Sequence, residues 1–431
     1  MKKINLRIWV IVILLIFFKY TNCIAQMQWF EQTTPVSISL NSVSAVNDNV
    51  VWACGGYGYW EAQVIRTTDG GTWMNATGTG ILYQLELTNI WGIDENNALV
   101  TGTDISSVTY VYKTTNGGLS WIQVFSQSGG FINAVQLTSA NDGFMVGDPV
   151  MGRWSMWNTT DAGFTWDSSG LYVPEYTNLG WLNSLFISGS NYWFGTQDNY
   201  IMHSSDYGNT WSHQITTQSS SYAIWFNNSN TGLAGGYICE FDRTTNGGSN
   251  WYSMTSLPLY SFIFGITGSG QEWWLCSGTN TPSKIWYSSN NGASWSVQYS
   301  KYYTQYSHIS KARTGSNIWA VGTINTISKY GLTNNLKSNS NEIPSKYYLT
   351  QNFPNPFNPT TSIKFDIPKS SYVRLIVYDI LGKEAATLVN EKLIAGSYEV
   401  DWIASNYHSG VYFYKIKSGD YVNVKKMLLV K

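Results

Sequence analysis

A seven-residue pattern, repeated from one end of the chain to the other, limits what this sequence can fold into. Thr160-Asp161-Ala162-Gly163-Phe164-Thr165-Trp166 has near-copies at Thr115–Trp121, Ser205–Trp211, Thr245–Trp251 and Ser289–Trp295, and a copy one residue shorter at Thr68–Trp73. The tryptophans of these six copies stand 48, 45, 45, 40 and 44 residues apart. Each copy reads as a hairpin turn. Asp or Asn accepts hydrogen bonds from backbone N–H groups just ahead of it, and Gly supplies a positive φ that other residues reach only with strain. The Trp opens the next strand with a large apolar surface to bury. One such unit cannot bury that surface alone, and a period of roughly 40–50 residues is that of stacked β-propeller blades.

A second repeat runs out of phase with the first. Apolar strands ending in Gly lie at 51–55, 99–102, 144–147, 192–195, 232–235, 273–278 and 318–322, seven against six turns. The seventh leads out through 323–332 with no turn of this kind and no Trp. At the other end Trp29 precedes Trp73 by 44 residues, in the place of a turn's Trp but without the turn. A closed ring of seven blades satisfies both counts, with the segment around Trp29–Gln32 as outer strand of the blade built from about 303–332. Such closure leaves no open edge. Each blade then runs inner strand, Gly-ended strand, third strand, turn, outer strand; in the third these are 131–137, 143–147, 155–158 and 165–168. The repeated turns fall on one face of the ring. The hairpins after the Gly-ended strands and the connections between blades fall on the other, here called the loop face.

The repeated turn resembles the Asp-box, or BNR repeat, of β-propellers, which is a folding device on the rim and not an active site. Aromatic residues make up 16% of the chain and charged residues 12%, with 39 Gly, as suits many short strands joined by tight turns. Lys2, Lys3 and Arg7 precede the apolar run Ile8–Phe18, and Cys23-Ile24-Ala25 offers small residues for cleavage, so residues 1–25 read as a secretory signal peptide. The run is 11 residues long, too short to span a bilayer, and the mature chain is expected to have no transmembrane segment. Cys54, Cys239 and Cys276 remain, an odd and widely spaced set that is no disulfide framework and has no His/Cys ligand spacing; neither metal nor cofactor is expected. Residues 26–336 hold 9 Lys/Arg against 18 Asp/Glu, which argues against nucleic acid or anionic lipid as a partner.

Ligands of propellers usually bind on the loop face, and its segments here are rich in aromatic residues. Tyr57, Tyr59 and Trp60 follow the first Gly-ended strand, and Asp148, Arg153 and Trp154 follow the third. Tyr172, Tyr176, Tyr302 and Tyr303 lie in connections between blades. Rings of this kind pack against sugar rings or peptide side chains and lose little entropy in doing so. These ten residues are the candidate ligand-binding set, for a glycan or a protein.

Past Asn334 the composition changes to a polar linker, and residues 334–345 separate the propeller (26–333) from a segment at 346–431. That segment, through Leu349–Pro368, Val377–Asn390, Ala395–Trp402, Ser409–Ile416 and Lys425–Lys431, resembles the C-terminal sorting domain of proteins exported by the type IX secretion system. Its own pattern is alternating strands at 362–367, 373–379, 396–402 and 410–417, a small Ig-like β-sandwich. The resemblance implies an export address read by the type IX machinery, and a protein secreted or held at the outer-membrane surface.

Enzymatic readings of this all-β chain are weaker. Sialidases also carry Asp-boxes, but bind a substrate carboxylate with three arginines, and the propeller has only Arg66, Arg153, Arg243 and Arg313, two of them immediately before repeat turns. Xyloglucan-cleaving Asp-box glucanases set two propellers around a cleft, and this chain has one. Asp104, Asp148 and Asp198 follow equivalent Gly-ended strands, which keeps a glycoside hydrolase using channel carboxylates as the alternative. His203, His213, His308 and His408 are scattered along the chain. The Gly-ended strands and Thr-Thr-Asp/Asn-Gly-Gly turns over 29–332 are also similar to the photosystem II assembly factor family, whose propeller is a protein-binding scaffold without catalytic residues. The combined expectation is an exported binding module with no catalytic residues.

Overall fold

The computed structural model describes residues 27–57, 60–175, 177–237, 241–254, 262–278, 282–332, 337–340, 343–404 and 407–431. The leader read at 1–25 lies outside these residues, as does Cys239. The chain divides into two compact units at Gly331/Leu332.

The first unit is a propeller of seven antiparallel sheets. Blade 1 consists of Ser39–Ala45, Val51–Tyr57, Trp60–Thr67 and Met74–Asn75 in spatial order. Blade 7 takes Tyr306–Lys311, Ile318–Gly322 and Thr326–Leu332 from the end of the repeats and Met27–Glu31 from the beginning as its outer strand. Glu31 holds this seam, accepting from the Tyr299 hydroxyl at 2.6 Å and the Ser328 hydroxyl at 2.7 Å and pairing with Lys301. Trp29 donates its indole N–H to Gln298 Oε1 at 2.7 Å. In blade 3 the structure differs from expectation: no outer strand forms at 165–168, and only a bridge between Asn158 and Asp167 closes that edge. Asp167 turns its carboxylate on the N–H and hydroxyl of Ser169, which ends the segment after one pair.

In blades 1, 3 and 7 the Gly that ends the second strand has a steric cause in its own inner strand. In six blades the inner strand carries a β-bulge, between Leu40 and Ser42, Leu87 and Asn89, Ile132 and Ala134, Ser221 and Ala223, Ile263 and Gly265, and Tyr306 and His308. The bulge pushes backbone toward the second strand. A Cβ on Gly55 would lie 2.0 Å from the Ser39 carbonyl oxygen, and one on Gly322 2.1 Å from that of Gln305. Only Gly fits there.

The repeat turns are closed by side chains. Asp206 accepts from the Thr210 N–H at 2.8 Å and hydroxyl at 2.6 Å, and from the Ser204 hydroxyl at 2.7 Å. Those bonds, the Thr210 hydroxyl foremost, hold its carboxyl down at about 2. The Ser204 hydroxyl in turn accepts from the Gly208 N–H at 2.9 Å, and the same bond recurs in the turns at Gly118, Gly163, Gly248 and Gly292. The core lies between blades, where Trp52, Trp193 and Trp319 are fully buried at matching positions of three second strands. Cys54 and Cys276 are buried there as free thiols, and burial raises both thiol pKa values.

The second unit is a sandwich of two four-stranded sheets. One orders Lys337–Ser340, Gly396–Ile403, Thr360–Ile367 and Tyr348–Leu349; the other orders Glu384–Leu393, Ser371–Tyr378, Gly410–Ser418 and Tyr421–Leu429. Ile363, Phe365, Leu375 and Tyr414 are buried between them. Lys337–Ser340, which composition marks as linker, supplies an edge strand instead: backbone pairing with Ser397–Glu399 needs no apolar side chain and leaves no trace in composition.

Candidate binding face

The loop face of the propeller is built around two unlike walls at the mouth of the channel. On the side of blades 1 to 3 the bulged inner strands present amides. Asn183, in the segment entering blade 4, adopts φ 59° and reaches all three of these blades. Its Oδ1 accepts from Asn89 Nδ2 at 2.7 Å and from the Ser42 hydroxyl at 2.8 Å, its Nδ2 donates to the Asn41 carbonyl at 3.2 Å, and its N–H donates to the Asn133 carbonyl at 3.0 Å. The inner strand of blade 4 is correspondingly short, Phe186–Ser188. The opposite wall is aromatic. Trp181 stacks on Tyr222 at 3.8 Å and 13°, Tyr222 lies near-parallel to Phe264 at 6.1 Å, and Tyr237 meets Phe262 edge-on at 4.9 Å.

Asp148 stands on the amide side. It accepts from Asn133 Nδ2 and from the Gly180 N–H, both at 2.9 Å, and burial raises its pKa against the pull of those bonds. Its carboxylate ties blade 3 to the segment carrying Asn183. Arg153 opens the third strand of blade 3, opposite Val150 across the hairpin. Trp154 is a correction: at 1% exposure it packs edge-on against Phe194 at 4.9 Å, inside the core between blades 3 and 4. Strand alternation explains it, since of two successive residues after a hairpin one must face inward.

Tyr172, Tyr302 and Tyr303 are exposed at 62%, 62% and 81%, and the last two rings tilt toward each other at 6.3 Å. Tyr57 and Trp60 pair across the blade 1 hairpin through their backbones. Tyr59 and Tyr176 lie outside the described residues. Leu82, Tyr83, Ile105, Met151 and Ile324 add exposed apolar surface in loops of the same face. Sequence reasoning missed Trp181, Tyr222, Phe262, Phe264 and Asn183. Tyr222 and Phe264 lie within inner strands, not in loops, at bulges where an extra residue breaks the two-residue alternation of the strand.

The carboxylates available for hydrolysis are engaged locally. Asp104 accepts from the N–H groups of Ser106 and Val108 at 2.8 and 2.9 Å and from the Tyr110 hydroxyl at 3.1 Å, within its own hairpin. Asp198 accepts from the Asn199 N–H at 2.8 Å. The arginines are dispersed: Arg66 and Arg243 reach carbonyls of neighbouring blades on the turn face, and Arg313 stacks over Trp91 at 4.2 Å and donates to Ser44 and Gly92. Among the described residues no group of three or more His, Cys, Asp or Glu could hold a metal ion, and no helix is long and apolar enough to cross a membrane.

Residues 351–431 match the family described as secretion system C-terminal sorting domain. A search of curated protein sequences gave no match. Among solved structures, YCF48 bound to D1 peptide superimposes with a TM-score of 0.56 at 16% identity, covering 71% of this chain and 99% of that one. YCF48 from Cyanidioschyzon merolae gives 0.55 at 17% identity, covering 70% and 98%. The WD40 β-propeller domain of Doa1 gives 0.54 at 11% identity, covering 71% and 97%. The chain is therefore a β-propeller exported to the cell surface or beyond by the type IX secretion system, whose sorting domain it carries at its C terminus.

Proposed function

We propose that the propeller is a binding module of the cell surface or the secreted fraction, taking an extracellular protein or glycan on its loop face. Its repeat turns are Asp-boxes that build the ring, and residues 1–25 are the leader that starts its export. The observation that carries the reading is the distribution of unused side chains. The Asp and Asn groups of the turn face are consumed by their own turns. The loop face carries exposed Tyr172, Tyr237, Tyr302 and Tyr303, together with the Trp181–Tyr222 stack and the amide cluster around Asn183. Large rings beside fixed polar groups are the composition of recognition surfaces. A propeller of similar fold, YCF48, is known bound to D1 peptide, which supports reading this ring as a binding scaffold.

The test combines a glycan array and extracellular-protein capture with a screen for hydrolysis. A ligand that loses at least about tenfold in affinity, roughly 1.4 kcal/mol, when Tyr302 and Tyr303 are both changed to Ala supports the face. Undiminished binding in that variant, or in one lacking the rings of Tyr57, Tyr59 and Trp60 as well, refutes it. Release of reducing ends that disappears in Asp148→Ala would replace the binding module by a glycoside hydrolase.

A further inference from the structure

The seams of the ring are not all closed in the same way. Three positions before the Asp or Asn of a repeat turn, or at the matching place in blade 7, a long cation reaches across to the next blade in blades 1, 2, 5 and 7, while blades 3 and 6 carry Asn158 and Tyr287 there. Arg66 donates to the Glu95 carbonyl and would crowd any Cβ on Gly117 of the next turn. Lys113 donates to the Ala162 carbonyl at 2.5 Å, Arg243 to the Asn291 carbonyl at 3.0 Å, and Lys329 to the Gly70 carbonyl at 2.8 Å. In blade 4 this position is His203. Its ring stacks on Trp193 at 4.9 Å and its Nε2 meets Asn191 Oδ1 at 3.1 Å, within its own blade. The imidazole does not reach the turn of blade 5; Gln214 does, donating to the Gly247 carbonyl at 2.8 Å, and a groove of about 850 Å³ lies along this seam.

The groove has a distinct chemistry. It is lined by His203, His213, amides, hydroxyls and the backbone of the turn Asn246–Trp251, with no Asp, Glu, Lys or Arg among the lining residues. His213 is exposed and stacks on Tyr200 at 4.1 Å and 15°, leaving its outer ring face to the groove. Trp251, at the groove's edge, has a buried indole N–H without a partner, as Trp166 does, whereas those of Trp211 and Trp295 donate to Gly208 and Gly292 carbonyls at 2.8 and 3.0 Å.

We propose that this groove between blades 4 and 5 is a second binding site, separate from the loop face, for a neutral oligosaccharide. A groove without formal charge offers nothing to offset the desolvation of a phosphate, carboxylate or ammonium. The hydroxyls of Ser212, Thr216, Thr217 and Ser249 donate within the protein and remain acceptors, and the exposed Asn230 and Asn250 and the ring of His213 line the groove beside them, groups that an uncharged sugar can meet. Its volume holds a short oligosaccharide, within the range of ligand pockets generally. Burial lowers the pKa of His203, in keeping with an uncharged groove.

The structure also supplies the variant that closes the site. His203→Arg places on the same strand position the side chain that Arg66 and Arg243 use to clasp the next blade. Binding of soluble manno-, cello-, xylo-, malto- and chito-oligosaccharides to the full chain is measured by calorimetry and saturation-transfer NMR. The expected result is that at least one neutral series binds, and that His203→Arg raises Tm while weakening binding at least about tenfold. His213→Ala, an exposed and structurally mild change, weakens binding too and carries the test if His203→Arg does not fold. The double change of Tyr302 and Tyr303 to Ala leaves this binding intact. The proposal is overturned if no neutral series binds at millimolar concentration, or if folded His203→Arg binds as the parent does. It is likewise overturned if sialylated or sulfated sugars bind in preference, or if the loop-face variant abolishes binding; that last result would instead favour the loop face as the glycan site.

Discussion

At the scale of single residues the ring is held by side chains that substitute for backbone partners. His308, on the inner strand of blade 7, accepts from the Val43 N–H of blade 1 at 3.2 Å through Nδ1. Burial pushes its pKa down from 6.5 to about 4. The unfolded chain therefore binds more protons between these values, so this residue's contribution to stability is complete above pH about 6.5 and is lost as pH falls toward about 4. The loss expected over that window is about 1–3 kcal/mol. Urea melts from pH 7.5 to 4 should show it, and His308→Asn, whose amide oxygen can take the place of Nδ1, should flatten the dependence. A parallel decline in parent and variant would mean that other groups govern acid stability. The turn carboxylates act lower on the scale, since Asp206 is held down at about 2 and stays ionised throughout this window.

At the scale of strands and turns, the bulge and its glycine form one unit. Gly322→Ala puts a methyl group 2.1 Å from the Gln305 carbonyl oxygen, an approach that requires backbone movement, and should cost about 1–3 kcal/mol, read as a lower Tm. Gly170→Ala is the control for space, with nothing within 4 Å of the added atom, although its φ of 81° carries its own strain. An equal effect of the two would remove the bulge as the explanation. The same bulges limited what could be read of the candidate site. Position in a connection between blades located Tyr302 and Tyr303 on the loop face. It could not locate Tyr222 or Phe264, which stand where alternation is interrupted. Trp154 was assigned to the surface by nearness to a hairpin, and strand alternation turns it into the core.

At the scale of the molecule, stability depends on joining the two ends of the repeat array. Trp29 is 8% exposed, bonds Gln298 and packs near Tyr299 and Tyr330 with ring centroids at 6.1 and 5.5 Å. Trp29→Ala should cost about 3–5 kcal/mol, like other buried Trp truncations, and should expose the third strand of blade 7 to proteolysis. Limited proteolysis that leaves Thr326–Leu332 as resistant as in the parent would show that the seam is held elsewhere.

The amino-acid sequence by itself determined the repeat, the count of blades, the all-β class and the sorting domain. Each of these is written in local signals: a turn chemistry that closes within five residues, a glycine that a neighbouring bulge demands, a composition that shifts past Asn334. Tertiary structure alone decided what faces the channel and where a ligand can lie. Asn183 joins residues from Asn41 to Asn133, and the groove beside His203 is formed by residues of two different blades. Such contacts run between blades, far apart in the chain, where no period or spacing records which side chain meets which.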